Sequence, residues 1–152
     1  MKSKDDKFII TGNVPLSGEI AVVGAKNAAL KALAASLLLD GPSVISNVPQ
    51  IEDLQRLTDL MTDLGVQLEQ SGNEIKILDP KISKSVLDPN LHQRTRSSIL
   101  LAVPTLLQHG EVEFAYPGGC VIGKRPIDFF LSGFRKFGID IEERGDGFRL
   151  QG

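Results

Sequence analysis

The 152 residues suffice for one compact domain with a core, and a net charge of −2 speaks against a duplex nucleic acid partner, which usually demands a basic face. The longest apolar run, Ala28 to Leu39, is interrupted by Lys31 and is too short to span a membrane; the polar start, Met1 to Lys7, leads into no secretory segment, so a cytoplasmic protein with no membrane partner is expected. The single cysteine, Cys120, can neither staple the fold nor build a multi-cysteine zinc site, and it is either a small buried apolar residue or a reactive thiol. His92 and His109 have no metal-type spacing to it, and both read as solvated residues near helix ends.

In chain order, a strand is expected at Glu19 to Val23 and an apolar helix at Asn27 to Leu39. A strand at Ser43 to Ser46 precedes a helix at Ile51 to Leu64, with apolar positions at helical spacing and a wet opposite face. Gly65 stands where a helix C-terminus wants a left-handed residue. Val66 to Glu69 and Glu74 to Leu78 then form a hairpin around Ser71-Gly72-Asn73.

The second half repeats this order. A second apolar helix is expected at Gln93 to Gln108, kinked by Pro104. A strand follows at Glu111 to Phe114, then a helix at Pro126 to Phe137 ended by Gly138, then strands Ile139 to Glu142 and Phe148 to Leu150 around Gly145-Asp146-Gly147. The chain divides accordingly into N-terminal strands at 1–24, a first unit at 25–80 and a second at 81–152. The two apolar helices should be buried on most sides, and two units offer little to bury them. That asks for a missing third unit, a second chain or self-association over the exposed core.

The copies disagree in one place. Gly41 and Gly110 lie 69 residues apart but Gly65 and Gly138 lie 73 apart, so the second copy carries four extra residues between its first strand and its second helix. They fall in the loop 115–126, which holds three glycines, Cys120 and the adjacent cations Lys124 and Arg125. Loops on a rigid scaffold are where function concentrates. Glycine amides and a following helix N-terminus favour an anion, and a thiol in such a field should ionise more readily. Both apolar helices also begin with a cation, Lys26 and Arg96, against the helix dipole. A cation there makes sense opposite a bound phosphate or carboxylate; the bland reading is a side chain reaching to solvent.

Gly24-Ala25-Lys26-Asn27-Ala28-Ala29, Arg96-Ser97-Ser98 and Pro117-Gly118-Gly119-Cys120-Val121-Ile122-Gly123-Lys124-Arg125-Pro126-Ile127-Asp128 together resemble the UDP-N-acetylglucosamine enolpyruvyl transferase (1-carboxyvinyltransferase) family, from about Lys7 onward. The resemblance implies an α+β fold of repeated βαβαββ units, an inside-out α/β barrel, of which this chain holds about two of six. It implies transfer of an enolpyruvyl group from phosphoenolpyruvate to the 3′-hydroxyl of UDP-N-acetylglucosamine with release of phosphate, without metal or redox cofactor. Those two small molecules are the partners expected. Residue by residue, Cys120 is similar to the loop cysteine that acts as general acid and that fosfomycin alkylates. Lys26 is similar to the lysine that contacts phosphoenolpyruvate, and Asn27 to the asparagine beside the sugar nucleotide. Arg96 and Arg125 resemble anion-binding arginines. Pro126, Ile127, Asp128 and Phe129 belong to the segment that lies along the uridine and diphosphate.

Two positions depart from the pattern. Phe130 stands where a histidine is frequent, and Leu100 where an aromatic is frequent. The first strands, about Phe8 to Val23, belong in the family mostly with the other domain. The aspartate that handles the sugar hydroxyl proton and further phosphate-binding arginines lie in parts this chain does not contain. A shikimate-pathway enolpyruvyl transferase shares the fold but lacks the cysteine loop. A non-catalytic domain that binds sugar nucleotides or another protein is the alternative from another class.

Overall fold

A computed structural model describes residues 7–118 and 126–152. The elements run α1 (Lys26–Ser36), β1 (Ser43–Ile45), α2 (Glu52–Asp63), β2 (Gln67–Ser71), β3 (Glu74–Asp79), α3 (Pro89–His92), a 3-10 helix (Arg96–Leu101), α4 (Ala102–His109), β4 (Glu111–Ala115), α5 (Asp128–Lys136), β5 (Asp140–Arg144) and β6 (Gly147–Gln151). Two three-stranded antiparallel sheets result, in the orders β1-β3-β2 and β4-β6-β5. The last strand lies central in each, so the two copies share a topology as well as a pattern. No helix among the described residues is long and apolar enough to cross a membrane.

The amphipathic pattern of α2 works as read. Leu54, Leu57, Leu60 and Met61 turn inward and are buried, while Glu52 and Asp53 sit in the first turn, where the helix dipole favours acids. Gly65 and Gly138 take φ of 97° and 82° after their helices, a region closed to most side chains. One core joins the halves: Leu33 and Leu37 of the first copy cluster with Leu101, Phe114 and Leu150 of the second. Gln108 ties them by hydrogen bonds, its Nε2 donating to the carbonyls of Leu37 (2.9 Å) and Pro80 (3.2 Å) and its Oε1 accepting from the Ile82 amide (2.8 Å).

The structure corrects three expectations. No strand forms at Glu19 to Val23; the stretch lies exposed, with Ile20 91% and Val22 88% accessible, because no neighbouring strand completes its hydrogen bonds. The second apolar helix is divided rather than kinked. Pro104 falls in the first turn of α4, where its missing N–H costs nothing, and the 3-10 helix ends just before that turn. The apolar helices stay partly uncovered, as two units alone would leave them: α1 leaves Ala28, Ala32 and Ala35 exposed, and α4 leaves Leu107 exposed. Finally, His92 is not solvated. It is fully buried at the end of α3, its ring 5.6 Å from that of Phe114, and neither ring nitrogen finds a hydrogen-bond partner among the described residues.

Burial disfavours the charged imidazole and pushes the pKa of His92 from 6.5 down to about 4, against a smaller opposing pull from the Ala115 backbone, which lies near the ring without completing a hydrogen bond of good geometry. The unfolded chain therefore takes up this proton first as the pH falls. Stability should be lost between about pH 6.5 and pH 4, by about 3 kcal/mol in total at 1.36 kcal/mol per unit, and not further below. Urea unfolding across that range should show the decline, and His92→Leu should flatten it.

Candidate functional site

Two close backbone approaches shape the site. Before α1, the chain passes so near the β1–α2 connection that a Cβ on Gly24 would stand 1.7 Å from the Asn47 carbonyl oxygen. Only glycine permits that approach, and it delivers Lys26 and Asn27 to the start of α1. After β4, a Cβ on Gly118 would stand 2.0 Å from the Gln93 carbonyl oxygen, so the root of the loop lies directly on the chain that leaves α3.

Lys26, Asn27, Leu30 and Lys31 of α1 line one open groove with Thr95, Arg96, Ser97, Ile99 and Leu100 from the start of the 3-10 helix, Asp53 of α2 and Phe130 of α5. The groove encloses about 890 Å³, including open solvent. Lys26, Asn27 and Arg96, up to 70 residues apart in sequence, are thus brought together. The cations Lys26, Lys31 and Arg96 face one acid, Asp53, among the groove's described residues.

Bonds among the lining residues hold this arrangement. The Lys26 ammonium meets the Asp53 carboxylate at 2.6 Å, both side chains roughly half exposed. Arg96 Nη2 donates to the Pro126 carbonyl at 3.0 Å, which fixes the far end of the cysteine loop to the groove. Thr95 and Ser97 hydroxyls share a hydrogen bond of 2.8 Å. Arg56 of α2 bonds Glu52 at 2.6 Å and donates to the Arg94 carbonyl at 2.6 Å, so α2 braces the chain just ahead of Arg96.

The remaining predicted residues are distributed as follows. Pro126 contributes its carbonyl to Arg96. Ile127 is buried in the core at 3% accessibility, and its carbonyl accepts the Leu131 amide of α5. Asp128 opens α5 with its side chain exposed. Phe129 is 89% exposed and does not line the groove, whereas its neighbour Phe130 does. Cys120 and Arg125, with the rest of 119–125, lie outside the described residues. No group of three or more metal-ligating side chains occurs among the described residues.

Asp53 escaped the sequence reading. Its place beside Glu52 in a helix's first turn is accounted for by the dipole alone, and a partner 27 residues away leaves no local signal. Thr95 and Lys31 likewise carry no pattern that marks them.

UDP-N-acetylglucosamine 1-carboxyvinyltransferase of Cellvibrio japonicus is 41% identical over 147 residues, which is 96% of this chain and 35% of that protein. The same-named protein of Acinetobacter baylyi is 40% identical over 137 residues, 90% of this chain and 33% of its own. The chain spans about a third of the length of the curated relatives it matches. Among solved structures, the enolpyruvyl transferase NikO of Streptomyces tendae superposes with a TM-score of 0.77 at 19% identity, over 90% of this chain and 30% of that one. EPSP synthase of Acinetobacter baumannii does so with a TM-score of 0.63 at 20% identity, over 89% of this chain and 32% of that one. These likenesses speak for the fold. A family model described as EPSP synthase (3-phosphoshikimate 1-carboxyvinyltransferase) matches residues 10–151, and the chain therefore belongs to that family of enolpyruvyl transferases.

Proposed function

We propose that this chain supplies the groove and the cysteine loop of a UDP-N-acetylglucosamine enolpyruvyl transferase site. The observation that carries the reading is the convergence of Lys26, Asn27 and Arg96 on one groove, with Arg96 bonded to Pro126 at the end of the cysteine loop. The roughly 40% identity to relatives of that name, over nine-tenths or more of the chain, supports it.

In this reading the cations hold the carboxylate and phosphate of phosphoenolpyruvate, and their charge stabilises the tetrahedral adduct. The 3′-oxygen of UDP-N-acetylglucosamine bonds to C2 of phosphoenolpyruvate while Cys120 gives its proton to the C3 methylene. The C2–O bond to phosphate then breaks, a proton leaves C3, and the enolpyruvyl ether and inorganic phosphate remain. Lys26 and Arg96 bind and orient; Asn27, Arg125 and the exposed residues Pro126, Asp128 and Phe129 serve the sugar nucleotide, while Ile127 anchors their segment in the core. The sugar hydroxyl gives its proton to a general base as its bond to C2 forms. The reaction is the first committed step of peptidoglycan synthesis in the cytoplasm, and Cys120 is the thiol that fosfomycin would alkylate.

Phosphate release is the test, measured with phosphoenolpyruvate and UDP-N-acetylglucosamine beside a Cys120→Ser control. Release that needs both substrates and vanishes in the variant is expected. Release that ignores the nucleotide or Cys120 would sink the reading. A second reading, sugar-nucleotide binding without turnover, needs only the groove that Lys26, Asn27 and Arg96 line. Saturable nucleotide binding with no phosphate release would select it.

A further inference from the structure

The groove's charges are unequal in kind. Lys26, Lys31 and Arg96 suit an anion, yet Lys26 is already paired within the groove, to Asp53 at 2.6 Å. Lys26 stands in the first turn of α1, which holds no acid and has no side-chain cap, so the dipole disfavours its ammonium there. Asp53 lies in the first turn of α2, where the dipole favours it. Its neighbours are committed elsewhere, Glu52 to Arg56 and Arg56 to the Arg94 carbonyl. Asp53 is thus a well-seated acid that offsets a cation the helix dipole disfavours.

We infer that Asp53 is an internal counter-anion of the groove: it holds Lys26 until an anionic ligand displaces it, and thereby sets how tightly the groove takes phosphoenolpyruvate. This rests on the anion-binding reading of the groove. An incoming carboxylate or phosphate must compete for the ammonium and approach a fixed negative charge at the same time. Both costs grow with the charge of the ligand and shrink with added salt. Departing phosphate would meet the same competitor, so Asp53 also favours release. Asp53 is a positioning residue here, acting through Lys26 and touching no reacting atom.

The experiment is calorimetric titration of phosphoenolpyruvate, and of pyruvate as a probe of lower charge, into the wild-type chain, Asp53→Asn, Asp53→Glu and Lys26→Gln. Asp53→Asn should bind phosphoenolpyruvate about threefold to tenfold more tightly at low salt, with a smaller gain for pyruvate and a smaller gain at high salt. Asp53→Glu should restore the wild-type value. A gain in affinity is not something a damaged fold produces. If Asp53→Asn binds as the wild type does or more weakly, the pair is an ordinary surface ion pair between two helices and the inference is overturned. In that case, wild-type binding that Lys26→Gln removes would leave the groove assignment standing. If neither the wild type nor Asp53→Asn binds phosphoenolpyruvate, the inference and the groove assignment fall together.

Discussion

Lys26→Gln is expected to weaken phosphoenolpyruvate binding by about 10- to 150-fold, the equivalent of the roughly 1.5–3 kcal/mol of a charge-assisted hydrogen bond. The side chain is about half exposed, so folding should barely notice the change. Its ion pair with Asp53 lies at the surface, where such pairs add little stability. Calorimetry would therefore show the loss with an unaltered melting temperature. The substitution also leaves Asp53 without its partner beside the incoming anion, which pushes the effect toward the upper end. A Lys26→Gln chain that binds phosphoenolpyruvate as the wild type does would remove Lys26 from the site.

Phe114→Ala should have the largest effect on stability, about 3–5 kcal/mol. Phe114 is 2% accessible and lies between His92 (5.6 Å between ring centroids) and Phe148 (5.8 Å), its registered partner across β4 and β6. The deletion leaves a cavity on both sides of the ring, one of them against the unbonded imidazole. Few neighbours can collapse into it, because β4 is pinned through Glu113 to Ser85 and Leu87. Urea unfolding should show a lower midpoint with an unchanged slope. The loss is a large share of the 5–15 kcal/mol typical of a domain. A midpoint close to that of the wild type would mean the core does not depend on this ring stack. Because β4 leads into Gly118 and the cysteine loop, lost anion binding in this variant would report on folding, and the two measurements belong together.

Much of the fold was legible because it repeats. Helix ends at Gly65 and Gly138, and hairpin turns at Gly72 and Gly145, are fixed by backbone φ that only a few residues tolerate, so local sequence sufficed. The amphipathic face of α2 announced its burial in the same way. What stayed hidden depended on contacts distant in sequence. His92 looked like any polar residue near a helix end, and its burial follows from Phe114 arriving 22 positions later. Glu19 to Val23 reads as a strand by composition, but a strand needs a partner, and none is present among the described residues. The site divides likewise. Lys26, Asn27 and Arg96 were marked by cations at helix starts and by family resemblance. Asp53 was hidden because its chemistry arises only from its position opposite Lys26. Gly24 and Gly118 were visible as motif glycines, yet their reason, approach to the carbonyls of Asn47 and Gln93, belongs to the folded backbone.

The most direct test of the anion-binding groove is an amide NMR titration of the chain with phosphoenolpyruvate. The expected result is saturable shifts centred on Lys26 to Lys31 and Thr95 to Ser97, absent when Lys26→Gln is titrated. Shifts centred elsewhere, or the same shifts with Lys26→Gln, would contradict it.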